Sequence, residues 1–390
     1  MASPSAIRTV RAKAQQRCFS GFTTSRFEQK ARAGGGDFWQ DLRHIAMHTT
    51  GLNLFCVLGC VGFLFGAPLV DAEDAGPSAA SIHAAVEKSL PLLTAGARGS
   101  IEKRERCFTC HNQGLPIMAL SAAQSRGIKI DAEELRKQVK FTADFLERNR
   151  TNYLAGKGQG GQTDTAGYAL WALENSGWKP DATTAAVAEY LLLWQRDMPH
   201  WKPQSKRPPT EQSLFTSTHA ALRGLKAFST AEQRKRVDAR VAQVREWLLK
   251  TKAEDNEDRV FRLRALQLAS ASATEIGKAA RELIQTQRAD GGWAQLDKSE
   301  SDAYATSTAL VALHQAGGLA TTDEIYRKGL RYLLSKQLAD GSWLVTSRSK
   351  PIQTYYESGY PHGTNQFISI SAAGWATTAL SLALPKAIRN

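Results

Sequence analysis

Cysteine and methionine are scarce: the 390 residues include five Cys and four Met. Three of the cysteines, Cys18, Cys56 and Cys60, fall within the first 72 residues, leaving only Cys107 and Cys110 for the remainder. That excludes a fold stapled by several disulfides. Strand signals are equally poor, because no hairpin dipeptide separates runs of alternating hydrophobicity. No Lys/Arg block interleaved with aromatics stands out either. The formal net charge of +13 therefore reads as a solvated basic surface, and a nucleic-acid interface is not expected.

Long apolar runs are limited to one, residues 52–70 (LNLFCVLGCVGFLFGAPLV), in which Asn53 is the single polar member. A basic leader, residues 1–46, precedes it with eight Lys/Arg against three Asp/Glu. Val70 and Ala72 fit the small-residue rule for signal-peptidase cleavage after Ala72, so residues 47–72 read as a secretory signal with Met47 as a candidate start. An uncleaved membrane anchor is the main alternative, since 19 apolar residues just span a bilayer. Lipidation at Cys60, or a transit peptide in the acid-free stretch 1–27, are two others. The signal reading implies an exported, periplasmic protein that touches a membrane only through such an anchor. Residues 73–390 then carry 42 Lys/Arg and 33 Asp/Glu, a charge of +9, and are expected to form one domain.

From about residue 81 two helical patterns alternate strictly. One is amphipathic and charged on one face, as in DAEELRKQVKFTADFLERN and TDEIYRKGLRYLLSKQ. The other is rich in Ala, Ser, Thr and Leu, as in DTAGYALWALENSG, DAYATSTALVALHQAG and SAAGWATTALSLAL. Small residues let helices crowd around an axis, and charged faces belong on the outside. Six such pairs predict an all-α (α/α)6 toroid of six inner and six outer helices.

A phrase recurs in the connections: ELIQTQRADGGW (282–293) and YLLSKQLADGSW (332–343), with a weaker copy, YLLLWQRDMPHW (190–201). It resembles the QW repeat of the squalene-hopene cyclase and protein prenyltransferase superfamily, whose fold is an α/α toroid. The resemblance implies a bracing role for Gln287, Trp293, Gln337 and Trp343. The superfamily's chemistry does not follow. The Asp-x-Asp-Asp acid motif of the cyclases is missing, and Asp164 and Asp302 stand singly at inner-helix starts, where capping and the helix dipole favour a carboxylate. The Asp, Cys and His zinc set of the prenyltransferases has no counterpart outside one motif. Cyclase or prenyltransferase activity is not expected.

That motif is RCFTCHNQGLP (106–116), within an attachment loop spanning 104–116. Two thioethers need cysteines two residues apart on one tight turn, with a histidine next to serve as the iron ligand. Cys107, Cys110 and His111 meet this pattern for one covalent haem c, against a redox dithiol, a lone disulfide or half a zinc site. The segment resembles the attachment stretch of exported bacterial proteins that combine a c-type haem with QW-type repeats.

For the opposite iron face the candidates are Met118, Met198, His83, His200, His219, His314 and His362. His362 is favoured because it lies in a long connection, residues 344–366, that enters the sixth inner helix just where ring closure brings repeat 6 beside repeat 1. Tyr355, Tyr356, Tyr360 and Phe367 are candidate cover for the macrocycle. The expected role is electron transfer with a redox partner protein. The alternatives are a haem-dependent oxidoreductase acting on a small apolar molecule in the cavity, with Asp164, Asp302 and Tyr304 at its mouth, and a non-haem isoprenoid-binding or scaffold toroid.

Overall fold

The computed structural model describes residues 76–351 and 354–387, so the leader and the apolar segment 52–70 lie outside the described residues. In chain order the helices are α1 (Ala79–Arg104), α2 (Leu115–Gln124), α3 (Ala132–Arg148), α4 (Arg150–Leu154), α5 (Gln162–Asn175), α6 (Ala182–Leu193) and α7 (Leu214–Phe228). They continue as α8 (Arg234–Lys250), α9 (Asn256–Leu268), α10 (Ala273–Ile284), α11 (Ala303–Gln315), α12 (Glu324–Lys336) and α13 (Gln366–Leu382). Extended pairing among the described residues is limited to two isolated bridges, Arg207 with Glu211 and Ala294 with Ser301.

The ring expected from the alternation is the ring observed. Helices α2, α5, α7, α9, α11 and α13 pack each against the next, and α13 closes on α2. Along α5 every residue from Thr163 to Leu173 is buried, as is every residue of α11 from Ala303 to Leu313. A helix buried all round belongs inside. Helices α1, α3, α6, α8, α10 and α12 form the outer layer. In α10 only Ala279, Ala280 and Leu283 are buried, so that helix lays one stripe on the ring. None of the described helices is long and apolar enough to cross a membrane.

The recurring phrase has one geometry. Trp293 Nε1 donates to the Leu283 carbonyl at 3.0 Å and Trp343 Nε1 to Leu333 at 2.8 Å. The weak copy makes the same bond, Trp201 Nε1 to Leu191 at 3.1 Å. Gln287 Nε2 reaches the Ile325 carbonyl on the next outer helix, and Gln337 Nε2 reaches Ala85 on α1, both at 2.8–2.9 Å. The second of these bonds spans the seam of the ring.

In the weak copy Gln195 makes no such reach. Arg240 of α8 substitutes, lying 4.2 Å over the Trp201 ring and donating to the carbonyls of Gln195, Arg196, Met198 and His200. The glycine of the phrase is left-handed, φ +81° at Gly291 and +94° at Gly341, but it closes a short turn past the helix and does not cap the helix itself. A Cβ at Gly341 would fall 2.3 Å from the Lys88 carbonyl oxygen.

Candidate functional site

Residues 107–114 form a short approach to α2. Thr109 caps a single π-turn, Cys110–Gly114, which runs directly into the helix. The cap is reciprocal: Thr109 Oγ1 accepts from the Asn112 amide at 3.2 Å, and the Thr109 amide donates to Gln113 Oε1 at 2.9 Å. Asn112 and Gln113 then donate to the Gly96 and Ala97 carbonyls of α1, at 3.0 and 3.3 Å. Such π-turns recur at functional sites because they re-aim side chains within a helix. Here the turn buries Cys110 and His111 side by side, with Sγ 3.6 Å from Nδ1. Cys110 is a free thiol.

The third partner comes from elsewhere in the chain. The connection between α6 and α7 carries Ser205, Arg207 and Glu211, and Glu211 Oε1 lies 3.6 Å from Cys110 Sγ. Arg207 grips Glu211 through Nε at 2.8 Å and through Nη2, and Ser205 Oγ donates to the same carboxylate. Burial pushes the Glu211 carboxyl up, but Arg207 and Ser205 hold it below its ordinary value. Burial and the Glu211 charge raise the Cys110 thiol well above its own. Burial, reinforced by Arg207, takes the His111 imidazole down to about 3, so that it is neutral.

The donor atoms of Cys110, His111 and Glu211 lie within 4.8 Å of one another, close enough to converge on a cation. Glu211 is already committed to a buried guanidinium, however, and a divalent ion there would face the Arg207 charge at short range. Cys110 and His111 are thus the available pair. His111 Nε2 is buried with no hydrogen-bond partner. His111 also lines a cavity of about 400 Å³ with Arg207, Lys350, Tyr355 and Phe367, a size that suits a small molecule or cofactor. The Phe367 ring meets the His111 ring edge-on at 5.1 Å, and Tyr356 packs behind Phe367 at 5.3 Å.

Residues 344–366, described apart from 352–353, cross this mouth of the ring. Ser349 Oγ donates to the Pro208 carbonyl and Arg348 Nε to Gln295, both at 2.8 Å. Phe367, Tyr355 and Tyr356 are thereby brought to the His111 side.

Two expected residues are not. His362, at φ +85°, shares a hydrogen bond with Ser342 at 2.8 Å and does not line the cavity. The left-handed turn that starts α13 points its imidazole back to the glycine turn of the last QW phrase. Tyr360 is buried against Gly96 on α1 and is likewise away from the cavity. The other candidates for the opposite iron face also lie away from this cavity. His200 stacks on Trp247 at 4.7 Å, His219 accepts from Arg264 at 3.4 Å, His314 meets the Leu319 carbonyl at 2.8 Å and His83 pairs with Glu87 at 3.3 Å. Met118 lines the far end of the ring, and Met198 lends its carbonyl to Arg240.

The mouth collects buried acids. Asp164 accepts from Ser217 Oγ and from the Gln204 amide at 3.2 Å, and burial with the nearby Glu211 raises it to about 7. Asp302 caps α11, accepting from the Ala305 amide at 2.9 Å. Glu257 was not singled out from sequence. It accepts from Thr216 at 2.8 Å and Tyr304 at 3.0 Å, and burial raises it to about 8. Its signal was its place in the first turn of an inner helix, which Arg207 and Glu211 lack.

No known family pattern matches the chain, and no curated protein matches it. Solved structures do. Type II terpene cyclase MstE from Scytonema aligns over 79% of this chain and 99% of its own, at 14% identity and a TM-score of 0.51. A protein from Actinoplanes aligns over 77% of this chain and 99% of its own, with the same identity and score. At that identity the likeness defines the fold, an α/α toroid, and nothing narrower.

Proposed function

We propose that this toroid carries one covalent haem c, attached through Cys107 and Cys110 with His111 as an axial ligand, and serves redox chemistry. The observation that carries the proposal is His111. Its imidazole is neutral, its Nε2 is buried without a partner, and it borders both the cavity of about 400 Å³ and the space of about 40 Å³ that Cys107 and Cys110 line. An unpaired buried nitrogen is costly unless something occupies it. Lys350 gives the larger cavity a cation suited to a carboxylate of such a group, the Arg207 charge beside it being taken by Glu211, while Phe367 and Tyr355 supply aromatic cover. When bound, the haem supplies a one-electron couple.

The role turns on the second axial position. Among the described residues, none of the His or Met candidates lines the His111 cavity, which favours an oxidoreductase acting on a small molecule over a six-coordinate electron carrier. Export through residues 47–72 belongs to the same reading. Co-expression with a c-type maturation system, followed by a pyridine haemochrome spectrum, tests it. One covalent haem per chain is expected, lost in Cys110→Ala; a colourless wild-type protein overturns the proposal. Carbon monoxide binding to the reduced protein separates the two roles.

A further inference from the structure

At the other end of the ring, the C-terminal halves of all six inner helices border a second cavity, of about 230 Å³. We infer that this cavity binds a small organic carboxylate through Arg264. The Arg264 side chain rises from α9 and is only 4% exposed, yet its Nη1 has no hydrogen-bond partner. Two further donors that border the cavity are also buried and unpaired, Trp375 Nε1 from α13 and Ser121 Oγ from α2. Three residues that line one cavity thus each carry a buried donor without a partner, and such donors are the groups an acceptor would satisfy.

Charge bookkeeping gives the acceptor its sign. Arg223, the other cation here, is paired with Glu174. Arg264 meets only a neutral histidine, through Nε to His219 Nε2 at 3.4 Å. Its guanidinium lies over the rings of Trp171 at 5.1 Å and Trp375 at 5.4 Å, which soften the charge but accept no hydrogen bond. The C-terminal ends of the surrounding helices favour a cation, but they leave Nη1 unpaired. One uncompensated positive charge calls for a monoanion, and the indole walls suit a ligand with an apolar body. A carboxylate fits both demands, and the planar guanidinium presents a fork that matches it. A phosphate dianion would bring a charge that nothing here balances. This site is independent of the Cys107–His111 reading and lies on other residues.

The test titrates the purified full chain with benzoate, following tryptophan fluorescence and calorimetric heat, with benzamide and inorganic phosphate alongside. Saturable binding of benzoate is expected, with none of benzamide or phosphate. Arg264→Met should weaken benzoate about 10- to 100-fold, the loss of a charge-assisted hydrogen bond. Trp375→Phe keeps an aromatic ring and removes one donor, and should weaken it severalfold. Because Arg264→Met also removes an uncompensated buried charge, it should fold, and its thermal midpoint should no longer rise with benzoate. Absence of saturable benzoate binding, equal binding of benzamide, preference for phosphate, or benzoate affinity unchanged in both variants each overturns the inference.

Discussion

Glu211 stands 3.6 Å from the Cys110 sulfur although 101 residues separate them. The contact exists because the connection entering α7 folds back under Arg207, and the Arg207–Glu211 pair is held with side chains only 20% and 9% exposed. Breaking such a pair from one side leaves a buried charge. Glu211→Gln is expected to cost about 3 kcal/mol in urea unfolding, and Arg207→Met a similar amount. Replacing both together should cost less than either alone. A double variant whose loss equals the sum of the single losses would show that the two charges do not depend on one another.

Proton uptake by the mouth acids gives a pH signature. Asp164 and Glu257 are raised to about 7 and about 8, chiefly by burial. In the unfolded chain both titrate near 4. Between those limits the folded state holds more protons, so stability falls as pH rises through the folded values. His111 acts in the opposite sense, since its value falls to about 3, and its contribution is lost as pH drops from about 6.5. Above that pH only the two acids remain of these three. Stability should decline by about 2 kcal/mol between about pH 6.5 and 8, and the slope should flatten in Asp164→Asn with Glu257→Gln. Urea midpoints across that range decide it.

The ring was legible because helix packing writes itself into local composition: all-buried stretches such as Thr163–Leu173 have to be inside. The QW phrase was legible for a similar reason, since Trp293 and Trp343 bond backbone ten residues earlier and the signal is therefore local. The motif at Cys107–His111 was equally visible as spacing. What composition could not give is which distant segment covers it. Arg207 and Glu211 sit in a polar connection with no periodicity, and only tertiary folding brings them to Cys110. His362 stands away from the His111 cavity for a local reason: a single residue at φ +85° turns its ring towards Ser342.

The glycine turns allow steric and conformational costs to be separated. Gly341 and Gly318 both have positive φ, +94° and +74°, but a Cβ at Gly318 meets nothing within 4 Å. Gly318→Ala should therefore cost only the left-handed penalty, about 1 kcal/mol. Gly341→Ala adds a collision with the Lys88 carbonyl, which belongs to α1 across the seam. Its loss should be at least twice as large by thermal or urea unfolding. Equal losses would mean that the turn moves freely away from α1, and that the Gln337 to Ala85 bond does not fix the seam.

His111 and His362 make opposite predictions for the haem-loaded protein. His111 has an unpaired buried nitrogen beside the larger cavity, so His111→Ala should alter the visible spectrum of any attached haem and lower its yield. His362 spends its Nε2 on Ser342. His362→Gln keeps a side chain able to bond Ser342, and it should leave the spectrum unchanged while costing about 1 kcal/mol of stability. Absorption spectra of the oxidised and reduced forms compare the two directly. A shift to high-spin character in His362→Gln would return His362 to the iron, and would require residues 344–366 to rearrange when the haem is loaded.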